Sequence, residues 1–187
     1  MVDRADLRWL SGVLALTSAL RTAKHGDTES ALDAVGRHLA VITRGAVGAP
    51  NYVMGVAVAA ATLFEADSDR YADVIERNLH AKVLAPDFHY PEYDGRWSAA
   101  QLCAVTGRPA EARVWFQRAY DRLTEQGAVL LLPHVAYDEA LMEARLGADG
   151  DRVNGLRRLD EAQAWAQRIG LPSLGARLDD LAARLRA

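Results

Sequence analysis

The sequence predicts an all-α protein, a stack of about four antiparallel helical hairpins closed by a C-terminal capping helix. Three observations carry this expectation. Ala112, Phe116 and Ala119 recur at i, i+4 and i+7, so they share one helical face, where small residues admit a neighbouring helix and the ring fills the remaining gap. Small residues then recur at the matching place of each hairpin, Ala31, Ala72, Ala112 and Gly155, at intervals of 41, 40 and 43 residues, the mark of one unit repeated. No period-two alternation competes, and Gly and Pro fall between the helical patterns rather than in hairpin turns.

The elements follow in order. Residues 6–24 read as a helix whose inward stripe is Leu10, Val13, Leu14, Thr17 and Leu20. His25-Gly26-Asp27 ends it and caps a helix over 28–43, in which Ala31, Val35, His38 and Leu39 face inward. Gly45, Gly48 and Pro50 break the chain before a helix over 51–65. That helix is apolar around nearly its whole circumference, as the middle of a stack requires. Asp67 or Ser68 caps a helix over 69–84, with Ala72, Val74, Ile75 and Leu79 inside and Pro86 as its stop. An aromatic-rich loop over 87–95 leads into the hairpin 95–126, where Gly107 suits the left-handed residue closing one helix and Pro109 the first turn of the next. Helices over 129–146, 152–169 (behind Asp151) and 172–187 complete the chain. Leu174, Leu178, Leu181 and Leu185 line one side of the last, and Arg and Asp the other, as an end cap needs. The hairpins thus span about 6–45, 51–85, 95–127 and 129–170 in a single domain, 1–187.

Composition narrows the function. Half of the 187 residues are apolar, a quarter are charged, and the net charge is −3 with a pI of about 5.9. No overall basic field therefore attracts a nucleic-acid backbone. The arginines are interspersed with carboxylates, the pattern of a solvated helical surface. Cys103 is the only cysteine, which excludes an internal disulfide and an all-cysteine metal site. It follows Ala99 and Ala100 on an apolar stripe and reads as a small core residue rather than a nucleophile. Asp3 and Asp6 precede the first apolar run, unlike a basic signal-peptide start. The longest apolar run, Tyr52 to Phe64, is shorter than the roughly 20 residues a bilayer requires. The expectation is a soluble, cytoplasmic protein that contacts no membrane.

Chemistry finds little footing. His80, Asp87, His89, Glu92 and Asp94 match no recurrent metal-ligand spacing. In the same loop, Phe88, Tyr90 and Tyr93 read as packing over neighbouring helices, or else as a partner contact on a rigid scaffold. His134 and Asp138 lie one turn apart and can share a hydrogen bond, but no nucleophile accompanies them. His38 reads as a core histidine. Glu139 and Glu143 are expected to face solvent or an arginine, Arg145 and Arg152 being nearest. No catalytic residue, metal ligand or cofactor is assigned, and no enzyme is expected.

The pattern Ala100…Gly107…Ala112…Phe116…Ala119 resembles the tetratricopeptide repeat. The stretch from Ala136-Tyr-Asp-Glu-Ala-Leu141 through Ala144-Arg-Leu-Gly147 and Leu159-Asp-Glu-Ala162 to Ile169-Gly-Leu-Pro172 is similar to the helical-repeat tail of bacterial regulators. In those, an NTPase module is joined to a nucleotide cyclase or to a helix-turn-helix domain. The sequence has no Gly-x-x-x-x-Gly-Lys-Ser/Thr phosphate loop and no appended DNA-reading domain. The expectation is a piece of a longer regulator or a stand-alone adaptor.

The resemblance implies a right-handed superhelix whose concave side is lined by the first helix of each hairpin. That assigns to the groove Met54, Ala57, Ala61 and Phe64, then Trp97 and Gln101, then His134, Tyr137 and Leu141. Met54, Ala57 and Ala61 read rather as core, while Trp97, His134 and Tyr137 fit groove and core equally. The candidate binding residues are therefore Phe64, Trp97, Gln101, His134, Tyr137 and Leu141. The expected partner is a protein or peptide in bacterial signalling or transcription control, held by a few aromatic side chains. The alternative is a small-molecule effector in the same groove, biasing the stack between two curvatures. Direct nucleic-acid contact is not expected. Were the first helix a cut surface, exposed Leu10, Val13 and Leu14 would invite a homodimer.

Overall fold

A computed structural model describes residues 4–44, 50–82, 84 and 94–186. Among the described residues the chain is all-helical, with no strand. Its helices are α1 (Arg4–Lys24), α2 (Thr28–Arg44), α3 (Pro50–Ala66), α4 (Ala72–Lys82), α5 (Gly95–Val105), α6 (Pro109–Glu125), α7 (Leu132–Leu146), α8 (Asp149–Ile169) and α9 (Pro172–Arg186). No described helix is long and apolar enough to cross a membrane. The chain falls into two compact units, Met1–Ala112 and Arg113–Ala187.

In the first unit α1 packs on α2 and α3, α3 on α4 and α5, and α2 also reaches α3 and α4. The helices α1, α3 and α5 thus lie side by side, with α2 against α1 and α4 against α3. Small residues set the spacing: Ala19 and Ala23 of α1 meet Ala31 of α2. Local signals place the ends where the sequence puts them. Asp27 Oδ1 accepts the Ser30 amide at 3.2 Å and starts α2, and Asp94 caps α5 by accepting the Arg96 amide at 2.8 Å. Gly107 takes φ +72° between α5 and α6, a conformation a Cβ would oppose. The expected breaker Pro86 and the breakers Gly45 and Gly48 lie outside the described residues.

Two expectations need correction here. The inward face of α1 is Val13, Leu16, Ala19 and Ala23, whereas Leu14 is 60% exposed and Thr17 is exposed. Ala19 and Ala23 let α2 approach, and the leucine buried beside them is Leu16 rather than Leu14. The side chain of Leu10 lies outside the described residues. Helix α4 begins at Ala72 rather than at residue 69, because Tyr71 adopts φ +74°, which no helix can include. Its ring lies over Gly36 of α2, where a Cβ would overlap the Tyr71 hydroxyl. Arg70 stacks on the same ring and reaches Glu29 and Asp33 of α2 at 3.3 and 3.2 Å. These contacts hold an otherwise unfavourable backbone in place.

Elsewhere in this unit, the Arg108 guanidinium holds both carboxylate oxygens of Glu76, at 2.7 and 2.8 Å. Tyr52 is buried and donates to Asn78 Oδ1 at 2.9 Å, and burial pushes its phenol up to about 12. Cys103 is wholly buried, as its apolar stripe predicts, and desolvation raises its thiol to about 11.

In the second unit α8 and α9 both pack on α7 and on each other. α7 is buried almost along its length, and with it Asp138, Glu139 and Glu143. Glu139 and Glu143 do face arginines, but the partners are Arg158 and Arg113 rather than the sequence neighbours Arg145 and Arg152. Arg113 grips Glu143 through two 2.7 Å hydrogen bonds and Asp151 through a third of 2.7 Å. Arg158, itself buried, lies 2.7 Å from Glu139, donates to Glu161 at 2.8 Å and to Gln117 at 2.6 Å, and stacks over Tyr120. Trp165 Nε1 donates to the Tyr120 hydroxyl at 2.8 Å. A charge this deep survives only when paired. Asp151 is thus not the cap of α8: the helix starts at Asp149 behind Ala148, and Asp151 serves as a first-turn carboxylate bound to Arg113. The leucine face of α9 is buried as expected, and Leu185 closes over Gly155.

Candidate binding face

Met54, Val58, Ala61 and Glu65 of α3 are half-buried and form one stripe at i, i+4, i+7 and i+11, the face least covered among the described residues. α1 lies along one flank of α3 and α5 along the other. Leu20, Ala57, Val58, Ala61, Trp97 and Gln101 enclose an open cavity of about 130 Å³ there. The alanines make it: larger side chains at 57 and 61 would fill the space between the flanking helices. Trp97 forms one wall and Gln101, only 4% exposed, lies deep beside it. Both already make contacts of their own within the protein, so their positions are fixed. One turn beyond Leu20, the last turn of α1 presents Arg21 and Lys24, both exposed. Among the described residues neither has a carboxylate partner.

Of the residues the sequence singled out, Trp97 and Gln101 meet in this cavity, together with Ala57 and Ala61, which read as core. Leu20 and Val58 were missed as members of it. Phe64 is not there: it is 1% exposed and belongs to the flank of α3 turned into the packing, so it has no surface to offer. In the second unit His134 is half-buried on α7, while Tyr137 and Leu141 are buried. The Arg177 guanidinium covers the Tyr137 ring at 4.5 Å, and Leu141 is core rather than surface. A separate groove of about 320 Å³ lies between α8 and α9, with Ala166, Leu171, Pro172 and Leu178 apolar and Gln163 and Asp179 polar in its lining. No pattern in the sequence marks it.

Two members of the acidic and histidine cluster, Asp94 and His80, lie among the described residues. Asp94 caps α5 and is bound by Arg96 at 2.7 Å, His80 lies 3.8 Å from Glu76, and Asp87, His89 and Glu92 lie outside the described residues, as do Phe88, Tyr90 and Tyr93. Among the described residues no three His, Cys, Asp or Glu side chains are grouped as metal ligands would be. Comparison of the chain with protein-family models, with curated proteins and with solved structures found no match.

Proposed function

We propose that this chain is a non-enzymatic helical-repeat module, a tetratricopeptide-like superhelical stack that binds a protein or peptide on the uncovered face of its odd-numbered helices. Two features support the repeat reading. The odd-numbered helices are neighbours within each unit, and polar bonds recur between residues about one repeat apart. Arg70 with Glu29 and Asp33, Arg108 with Glu76, Arg113 with Asp151 and Arg158 with Gln117 are separated by 41, 37, 32, 38 and 41 residues. A junction between successive copies of one unit would be tied in that way.

The observation that carries the binding proposal is the cavity between α1, α3 and α5. Its volume of about 130 Å³ is well below the roughly 300–1,000 Å³ of small-molecule sites and suits one side chain of a partner. The buried titratable groups support a structural role: Cys103 is enclosed with its thiol raised, and Glu139 is held by Arg158. A place in bacterial signalling or transcription control rests on the sequence resemblance alone. The alternative, a small-molecule sensor, draws support from the larger groove between α8 and α9, whose volume of about 320 Å³ falls in the small-molecule range.

Selection of displayed peptides against the whole chain, in parallel with Ala61→Leu, tests the proposal. Peptides captured by the wild type and lost with the cavity filled are the expected result. Peptides retained equally by both would remove the cavity from the function. A metabolite that raises Tm unless Leu178→Trp fills the other groove would favour the sensor.

A further inference from the structure

We infer that the partner segment is acidic and inserts one large apolar side chain into the cavity of the first unit, an inference that rests on the binding face proposed above. The occupant's chemistry follows from the walls. Five of the six lining residues are apolar and Gln101 is the single polar one, so a charged group entering there would lose most of its water with little to replace it. An apolar cavity of about 150 Å³ holds one benzene-sized group, and the volume here is about 130 Å³. A leucine, isoleucine, methionine or phenylalanine side chain meets both conditions.

The sign of the partner's charge follows from the rim. Lys24 is one helical turn from Leu20, and Arg21 precedes it on the same turn of α1. Residues at that spacing stand about 6 Å apart on a helix surface. Neither cation makes an ion pair among the described residues, whereas Glu65, the acidic residue one turn from Ala61 on α3, is already engaged. An acidic residue flanking the anchor would thus meet two cations not engaged in an ion pair. Surface charges of this kind set the association rate and discriminate among partners more than they add affinity.

The test uses short synthetic peptides that differ at two places, read by fluorescence anisotropy on the whole chain. One carries leucine flanked by glutamates, one leucine flanked by lysines, and one alanine flanked by glutamates. The leucine–glutamate peptide should bind about threefold tighter or more than the lysine version at low ionic strength, a gap that closes as salt screens the rim. The alanine version should bind at least about tenfold more weakly, the loss of one buried side chain. The charge-reversed variant Arg21→Glu/Lys24→Glu, altered only at exposed positions, should invert the order of the first two. An unchanged order overturns the acidic partner, and equal binding of leucine and alanine versions overturns the anchor. Preference for a single-stranded oligonucleotide over every peptide, abolished by the same reversal, would also overturn the proposal. Displayed peptides that need the open cavity but lack acidic residues would sink this inference and leave the peptide-binding proposal standing.

Discussion

The two units solve one problem with different chemistry. Each must hold a central helix against its neighbours, α3 in the first and α7 in the second. α3 does so with Val53, Val56, Ala59, Ala60 and Leu63, fully buried and without a charge among them. α7 buries three carboxylates and recruits arginines from α6 and α8 to satisfy two of them. Apolar packing is indifferent to direction and tolerates a vacancy, which is how α3 can leave a cavity on its free face. The charged closure is directional, and removing one member strands another. The comparison predicts a forgiving first unit able to present an open surface and a second unit whose helices are fixed in register.

The largest expected effect would break that contrast if it failed. Arg113→Met leaves Glu143, 0% exposed, without its cation and should cost about 3–5 kcal/mol in urea unfolding. The double variant Arg113→Met/Glu143→Leu should recover most of it. Arg108→Met removes a pair of similar geometry in the first unit, where Glu76 keeps a 21% exposed side chain, and should cost only about 1 kcal/mol. Equal losses would mean that the two units do not differ in kind.

Next in size, Ala60→Leu should cost about 1–3 kcal/mol by overpacking a site with no free volume. Ala61→Leu, one residue on but facing the cavity, should be close to neutral. That pair sharpens the claim that the two flanks of α3 do different work.

A smaller effect depends on pH. Burial raises the Glu139 carboxyl above its ordinary value, and Arg158 only partly offsets this. Its ionised form is therefore disfavoured by folding. The associated stability is present in acid and is lost as pH rises through the raised value. The Tm difference between wild type and Glu139→Gln should shift in the wild type's favour as pH falls from neutrality toward the ordinary carboxylate range. A constant difference would show that the pair with Arg158 fully offsets burial, and a shift in the opposite sense that it dominates. The smallest change is Leu14→Ser, expected within about 0.5 kcal/mol of wild type, because the side chain is largely in water.

Local rules made the helices legible. Gly107 and Pro109 mark a turn that is present as expected, and the faces of Ala112–Phe116–Ala119 and Leu174–Leu178–Leu181–Leu185 are buried. Legibility failed where the choice of face was made by a distant residue. α1 carries apolar residues around most of its circumference, so only the approach of Ala31 from α2 selects Ala19 and Ala23 over Leu14. Glu143 looks like a surface residue until Arg113, 30 residues earlier, is folded onto it. In the candidate site, Trp97 and Gln101 are reached through the repeat resemblance, which puts the first helix of each hairpin on the groove, whereas Ala57 and Ala61 read as core and line the cavity all the same. Phe64 went astray by a fraction of a turn, which sequence spacing alone does not resolve. Leu20 belongs to the cavity only because α1 lies beside α3.

Cys103, enclosed in α5 with its thiol pushed up to about 11, is the chain's single sulfhydryl. At neutral pH a thiol reagent finds almost no thiolate there and no route to the sulfur until the surrounding helices part. The speed of its alkylation is consequently a stopwatch on the breathing of the first unit, already installed and needing no engineered label. A bound peptide that bridges α1 and α5 should slow that stopwatch.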